Sequence, residues 1–331
     1  MQFTSWLLVC VSLGIGMPYY VLFLVVLFRL RNRPPFDSEF FRLSFSNGIA
    51  DILTLVTTYC SVRFPWWGVV TAEMIRNNPD SVGWKLMKML SLYLPNVQHF
   101  GAILLAYSRF TALTQPAEHE ILWTGCRTPL AVLLMWCLPI FLVVPMLPMH
   151  FRGRSLPNSE GITFEVSEPQ AFNSLLIICG IFFTLCVLIT GGLYSITFMK
   201  LSKQTNSVKT IQVVITPPPE EIDPEMLKFE KQYTFFTGDI HSSIVTGDTP
   251  QAVNARLQKR LAFTGLAIFL VMLVYLIYLW AYLAVRAFGG NGITTVLYFI
   301  VSDLYCWSKP FIFLTNKNVR DGLASSYLYV S

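Results

Sequence analysis

The chain has 331 residues, of which 54% are apolar and only 13% are charged, and its formal net charge is +5. Soluble domains carry about 25% charged residues, so this composition excludes a soluble globular enzyme and a disordered protein. The positive charge is too small and too scattered to form a surface that follows nucleic-acid phosphates.

Seven apolar segments follow one another along the chain, each about 20 residues long and therefore able to cross a bilayer as a helix. The first, fifth and sixth are the most apolar, and the second is the most polar. We predict membrane spans at 6–28, 41–61, 84–107, 128–149, 172–198, 261–285 and 292–314. The predicted fold class is therefore an all-α membrane protein, a bundle of seven transmembrane helices.

The lysines and arginines near the spans predict the orientation, because cytoplasmic loops carry an excess of them. With the N-terminus outside, fifteen lie on cytoplasmic ends and seven on outer ends. We expect the N-terminus outside and the C-terminus inside. The third inner loop, at about 200–260, contains a Pro217-Pro218-Pro219 run and several acids. Its composition is typical of a mobile linker, so we expect residues 1–331 to form a single domain.

The second span carries a polar stripe at steps of three and four residues, which share one face of a helix. Its members include Ser44, Asn47, Asp51 and Thr54. The stripe could simply hydrogen-bond to neighbouring helices. It could also be an internal polar network, or a cation site, that changes between two packings.

The third span places Lys88, Asn96 and His99 on one face, flanked by Tyr93. These residues fall in the predicted outer half, so they are candidates for the wall of a ligand-binding cavity. The alternative for His99 is a hydrogen-bonded core histidine. We predict no catalytic residue, cofactor or metal, because the four histidines lie in separate segments without metal-ligand spacing.

Three residues of the last two spans complete the predicted ligand site. Tyr275 and Tyr278 are three residues apart in span six, and Asp303 lies within span seven. An ionisable residue within a span usually faces the bundle interior and marks a functional site. The alternative for Asp303 is a bond to a hydroxyl or amide of a neighbouring span.

Several short motifs carry a resemblance to a known family. They are Gly48-Ile49-Ala50-Asp51 in span two, Tyr107-Ser108-Arg109-Phe110-Thr111 with Gln115-Pro116 and His119 after span three, and Ser302-Asp303-Leu304 leading to Pro310 in span seven. In these residues the chain resembles a nematode serpentine chemoreceptor of the Srg superfamily, class V (Srv), which is a G-protein-coupled receptor.

The resemblance implies a rhodopsin-like bundle in the plasma membrane, with sensory cilia as the expected site. It implies a small-molecule odorant or pheromone-like ligand and a heterotrimeric G protein as partners. By the same resemblance, Arg109 restrains the resting state and meets the G protein, Pro310 permits a kink, and Asp51 belongs to the internal polar network.

The chain departs from the usual receptor pattern at two of these places. Ser108 stands where an acid usually precedes the arginine, and Lys309 stands where an asparagine usually precedes the proline. The alternative function from a different class is a membrane transporter or channel for a small solute. A line of charged residues along a pore would favour that alternative.

Overall fold

The computed structural model describes residues 10–32, 38–67, 82–155, 162–212, 250–287, 297 and 300–309, and the structural statements below concern these residues. Eight helices, numbered α1 to α8, and one β-hairpin make up this part of the chain. Five helices are single segments: α3 (Val82–Thr114), α4 (Pro116–Trp123), α6 (Pro169–Gln212), α7 (Pro250–Ala287) and α8 (300–309). Helix α1 begins with a π-helical segment, Cys10–Gly16, and continues as Met17–Leu30, and α5 (Arg127–Cys137) continues as Ile140–Val143 and Val144–Met146. Helix α2 (Glu39–Thr58) continues as a π-helical Tyr59–Arg63 and then as Phe64–Trp66.

Five of the described helices are long and apolar enough to cross a membrane, and this supports the helical membrane protein that the sequence predicts. The qualifying segments are Val11–Leu30, Val82–Thr114, Arg127–Met146, Pro169–Ser202 and Phe263–Val285. Helix α2 matches the second predicted span, but its buried polar stripe lowers its mean hydropathy. Helix α8 covers the middle of the seventh predicted span.

Helix α3 lies at the centre of the bundle and packs against α2 on one side and α6 on the other. Gly101 allows the close approach of α2, since a Cβ atom there would lie 2.5 Å from Oδ1 of Asn47. On the other side, Ala102 joins a cluster with Phe183 of α6 and Met272 of α7. The bundle interior is therefore continuous from α2 to α7.

Large apolar side chains also cover the outside of the bundle. Leu133, Phe141, Leu188 and Ile277 are more than half exposed. In water such a surface would promote aggregation, whereas in a bilayer it faces acyl chains at no cost. This exposure of apolar side chains agrees with the amino-acid composition, which excludes a soluble globular protein.

A β-hairpin follows α5, and the sequence analysis did not predict it. Strand β1 (Phe151–Ser155) pairs antiparallel with β2 (Ile162–Val166), with Phe151 opposite Val166 and Gly153 opposite Phe164. The signal for β2 is the alternation of Ile162, Phe164 and Val166 with polar residues. The hairpin marks one end of the bundle, which we call the hairpin end. The opposite end, where α3 stops and α2 begins, is the Arg109 end.

Two helices extend into the predicted third inner loop. Helix α6 continues to Gln212 and α7 already begins at Pro250. Both helices therefore extend beyond the apolar segments that predicted spans five and six. Residues 213–249 lie outside the described residues, so the prediction of a mobile linker there stays a prediction.

Candidate functional site

The polar stripe of α2 is buried along its whole length. Ser44, Asn47, Asp51 and Thr54 are each at most 6% exposed. They do not bond to one another: Thr54 donates to the backbone carbonyl of Ala50 at 2.7 Å, and the Ser44 hydroxyl and the Asn47 amide have no partner within the described residues. The stripe faces α3 and α8, and Asp51 is the member that connects α2 to other helices.

Asp51 forms a buried ion pair with a lysine that is 258 positions away in the sequence. Lys309 Nζ on α8 donates to Asp51 Oδ1 at 2.6 Å, and the Tyr20 hydroxyl on α1 donates to Oδ2. Both charged residues are at most 4% exposed. Each carboxylate oxygen thus has its own donor, so the charge of Asp51 is neutralised by the protein itself.

A second buried ion pair joins the same two helices with the charges reversed. Arg63 at the end of α2 donates from Nη1 to Asp303 Oδ2 on α8 at 2.6 Å. The same oxygen accepts from Ser12 of α1 at 2.7 Å and from Tyr59 at 3.1 Å. Arg63 is fully buried, and its Cζ lies 4.2 Å from the centre of the Tyr59 ring.

Sequence reasoning found the two carboxylates but missed both bases. Arg63 is one of the seven basic residues that the orientation argument places on outer ends, and Lys309 stands only as a departure from the receptor pattern. Helical length explains why a pairing was hard to foresee: Asp51 and Arg63 are about 18 Å apart along α2, whereas Asp303 and Lys309 are about 9 Å apart along α8. The long arginine and lysine side chains make up the difference.

An aromatic cluster fills the middle of the bundle and surrounds His99. The His99 ring stacks on Phe183 of α6 with ring centres 3.7 Å apart. Its Nδ1 lies 3.1 Å from the hydroxyl of Tyr305 on α8. Tyr275 of α7 stacks on Tyr305 with ring centres 5.1 Å apart. His99 and Tyr275, both predicted ligand residues, therefore meet in one closed cluster with Phe183 and Tyr305, which the sequence analysis did not single out.

The other predicted ligand residues lie in separate surroundings. Lys88 Nζ lies 5.0 Å from the centre of the Phe164 ring on the hairpin. Tyr93 donates to the Trp136 carbonyl of α5. Asn96 bonds to the Leu92 carbonyl of its own helix and lies 3.8 Å from the sulfur of Cys179. Tyr278 is half-buried on α7. Lys88 belongs to the rim at the hairpin end, and Tyr93 and Asn96 contact neighbouring helices.

At the Arg109 end, the arginine is held by the first turn of α2. Arg109 is 7% exposed, and its Cζ lies 3.5 Å from the centre of the Phe40 ring. Beside it, Ser108 donates to Glu39 Oε1 at 3.3 Å, and His119 Nε2 lies 3.0 Å from the same oxygen. A groove of about 490 Å³ opens next to Glu39 and His119. Pro310, the other residue assigned to the switch, lies outside the described residues.

Two comparisons with known proteins agree with this architecture. A family model described as the serpentine type 7TM GPCR chemoreceptor Srv matches residues 7–326. The chain is also similar to Serpentine receptor class V-1 from Caenorhabditis elegans, with 32% identity over 182 residues. That match covers 53% of this chain and 58% of the relative, so it spans little more than half of either protein.

Proposed function

This chain belongs to the Srv family of serpentine seven-transmembrane chemoreceptors, and we propose that it detects a small odorant or pheromone-like molecule and signals to a heterotrimeric G protein. The family is a receptor family rather than an enzyme family, and the protein crosses the membrane several times. In the proposed arrangement the bundle is rhodopsin-like, with the N-terminus outside and the C-terminus in the cytoplasm. The expected location is the plasma membrane of sensory cilia.

Helix α8 carries the observation that best supports a receptor mechanism. Within seven residues it presents Asp303 to α1 and α2, Tyr305 to α3 and α7, and Lys309 to α2. Every one of these contacts is buried and polar or aromatic. A ligand that displaced Asp303 or Tyr305 would therefore change the position of Lys309, which lies closer to the Arg109 end.

The proposed ligand site lies between the hairpin and the aromatic cluster, with His99, Tyr275 and Asp303 as its floor. Asp303 Oδ1 has no hydrogen-bond partner within the described residues although it is buried. An unsatisfied buried acceptor costs about 1–3 kcal/mol, and a ligand donor would remove that cost. The ligand acts only if it binds one packing of the helices better than the other.

The ligand test is expression in cultured cells with a panel of small volatile and water-soluble molecules and a calcium or cAMP readout. In Asp303→Asn we expect the half-maximal concentration of an active molecule to rise about tenfold, because a hydrogen bond to a charged group contributes about 1.5–3 kcal/mol. Glu168→Gln is the matched control, since Glu168 is an exposed carboxylate beyond the hairpin. An unchanged dose–response curve in Asp303→Asn with normal surface expression would remove Asp303 from the site.

The coupling test uses Arg109. We expect Arg109→Ala to reach the surface normally and to lose most of the ligand response, while Arg127→Ala, which changes an exposed arginine, keeps it. A full response in Arg109→Ala would contradict the coupling role. A ligand-dependent current across a bilayer without any G-protein response would instead support the transporter or channel alternative. Tags on both termini that are accessible from the same side of the membrane would contradict the proposed topology.

A further inference from the structure

Arg109 has no acid beside it in the sequence, because the preceding residue is Ser108. A buried guanidinium without a carboxylate nearby is costly. The chain supplies that carboxylate from another helix: Glu39, in the first turn of α2, interacts electrostatically with Arg109. Phe40, the next residue, lies under the guanidinium at 3.5 Å. Two consecutive residues of α2 thus provide both the charge and the aromatic face that hold Arg109.

Glu39 is itself fixed from two sides. Its Oε1 accepts from Ser108 at 3.3 Å and lies 3.0 Å from His119 Nε2 of α4. The Glu39 and His119 side chains are each 17% exposed, so this pair is only partly screened by water and is worth more than a fully exposed pair. Glu39 also lies at the N-terminal end of α2, where the helix dipole favours a negative charge.

His119 is held in turn by the end of α3. Its Nδ1 lies 2.8 Å from Thr111 Oγ1, and that hydroxyl also accepts from Trp123 Nε1 at 3.1 Å. The contacts therefore run without a break from α2 through Glu39 and His119 to α3 and α4. Glu39, His119 and Trp123 also line the groove at this end of the bundle.

We propose that Glu39 and His119 are positioning residues that form a latch, in which Glu39 keeps Arg109 against Phe40 and His119 keeps Glu39 in place. The latch rests on the proposed function, since it gives Arg109 a resting position that a G protein must disturb. Opening requires that the Glu39 carboxylate leave both Ser108 and His119. Glu39 thus takes the place of the acid that is missing next to Arg109. Because Glu39 belongs to α2, a movement of α2 would change its interaction with Arg109.

The first experiment measures the exposure of Arg109 directly and needs neither a ligand nor a G protein. The full chain in lipid nanodiscs is treated with phenylglyoxal, which modifies arginine, and the modification of each arginine is followed by mass spectrometry. We expect Glu39→Gln to raise the rate at Arg109 about three- to fivefold, because the negative charge that favours the buried position of Arg109 is lost. The exposed Arg127, which does not line the groove beside Glu39, serves as the internal reference and should not change.

Three further variants separate a latch from a general loss of structure. Glu118→Gln removes an exposed carboxylate next to His119 and should leave the rate at Arg109 unchanged. His119→Ala should raise it about twofold, because Ser108 still donates to Glu39. Glu39→Asp keeps the charge and should fall between wild type and Glu39→Gln. Equal rates at Arg109 in wild type and Glu39→Gln would overturn the latch.

The second experiment measures ligand-free nucleotide exchange on a panel of heterotrimeric G proteins. We expect Glu39→Gln to raise exchange by the same factor as the modification rate, and Glu118→Gln to leave it at the wild-type value. A rise in Arg109 modification with no exchange in any variant would support the latch and count against the proposed function. If wild type promotes nucleotide exchange but Glu39→Gln does not change the modification rate of Arg109, the latch is contradicted and the proposed function is not.

Discussion

The two ion pairs between α2 and α8 have the same length and reversed charges, but their surroundings differ. Asp51 has a donor on each oxygen, Lys309 on one and Tyr20 on the other, and Gln98 also hydrogen-bonds to this carboxylate; all three partners lie on regular α-helix. Asp303 has three donors on one oxygen and none within the described residues on the other. All three donors, Ser12, Tyr59 and Arg63, lie in π-helical turns.

This difference indicates that the two pairs do different work. A fully satisfied buried pair stabilises one register of the helices and leaves nothing for a further partner. A carboxylate with a buried oxygen still unpaired can accept one more donor. We therefore expect the Asp51 pair to contribute more to the stability of the bundle, whereas the Asp303 pair suits the proposed ligand site. Three of the following predictions test this difference in stability, and one tests the neighbouring contact between α1 and α8.

The largest effect is expected when Lys309 is replaced. Lys309→Met leaves Asp51 as a buried charge with only the neutral donors Tyr20 and Gln98, which should cost about 3–5 kcal/mol and prevent most of the protein from reaching the surface. The double variant Asp51→Asn with Lys309→Met removes both charges and should restore folding. Surface expression and thermal unfolding in detergent measure both. Normal stability of Lys309→Met alone would mean that Asp51 is not charged in the bundle.

A smaller loss is expected at the other pair. Arg63→Met leaves Asp303 with the Ser12 and Tyr59 hydroxyls, so the cost should be about 2–3 kcal/mol, close to that of one hydrogen bond to a charged group. The thermal unfolding temperature should fall less than in Lys309→Met. The sharpest test is which of the two variants loses more stability. A larger loss in Arg63→Met than in Lys309→Met would show that the Arg63–Asp303 pair contributes more to the stability of the bundle.

Next in size is the contact between α1 and α8. A Cβ atom on Gly16 would lie 1.7 Å from the Trp307 ring, so Gly16→Ala should force the two helices apart and cost about 1–3 kcal/mol. Gly14→Ala is the matched control, because a Cβ atom there meets nothing within 4 Å. Thermal unfolding of both variants measures the difference. Equal stability of the two would show that α1 can shift without loss.

The smallest effects compare one hydroxyl at each pair. Tyr20→Phe removes the hydroxyl that donates to Asp51 Oδ2 and should cost about 1.5 kcal/mol. Ser12→Ala removes one of three donors to a single oxygen of Asp303 and should cost about 0.5 kcal/mol. Chemical unfolding of the two purified variants would resolve this difference. A larger cost for Ser12→Ala than for Tyr20→Phe would contradict the interpretation that the two remaining donors to Asp303 Oδ2 compensate for the loss of one.

The helices could be predicted from the sequence to the extent that they are apolar. Composition and segment length gave five spans that the structure describes as membrane-length helices, and the spacing of Ser44, Asn47 and Asp51 gave the buried face of α2. The hairpin was missed because its strands are only five residues long. The helical extension to Gln212 was missed because it is polar, and hydropathy does not detect it.

The partners in the candidate site could not be predicted in the same way. Arg63 and Asp303 are 240 positions apart, and Lys309 and Asp51 are 258 apart. Hydropathy and helical periodicity describe neighbours within one helix, whereas these contacts depend on the order in which helices pack. Arg63 also escapes a periodicity argument because a π-helical turn shifts its direction relative to the stripe that contains Asp51.

The two π-helical turns also bear on how such a chain can diversify. A π turn closes its hydrogen bond over one residue more than an α turn, so losing one residue from Tyr59–Arg63 would restore an α-helix while the residues beyond the turn kept nearly the same direction. Only the side chains within the turn would be rearranged around Asp303, while Asp51, which precedes the turn, would stay against Lys309. A single-codon deletion or insertion could thus alter the contacts of Asp303 at the hairpin end and leave the rest of the molecule in register.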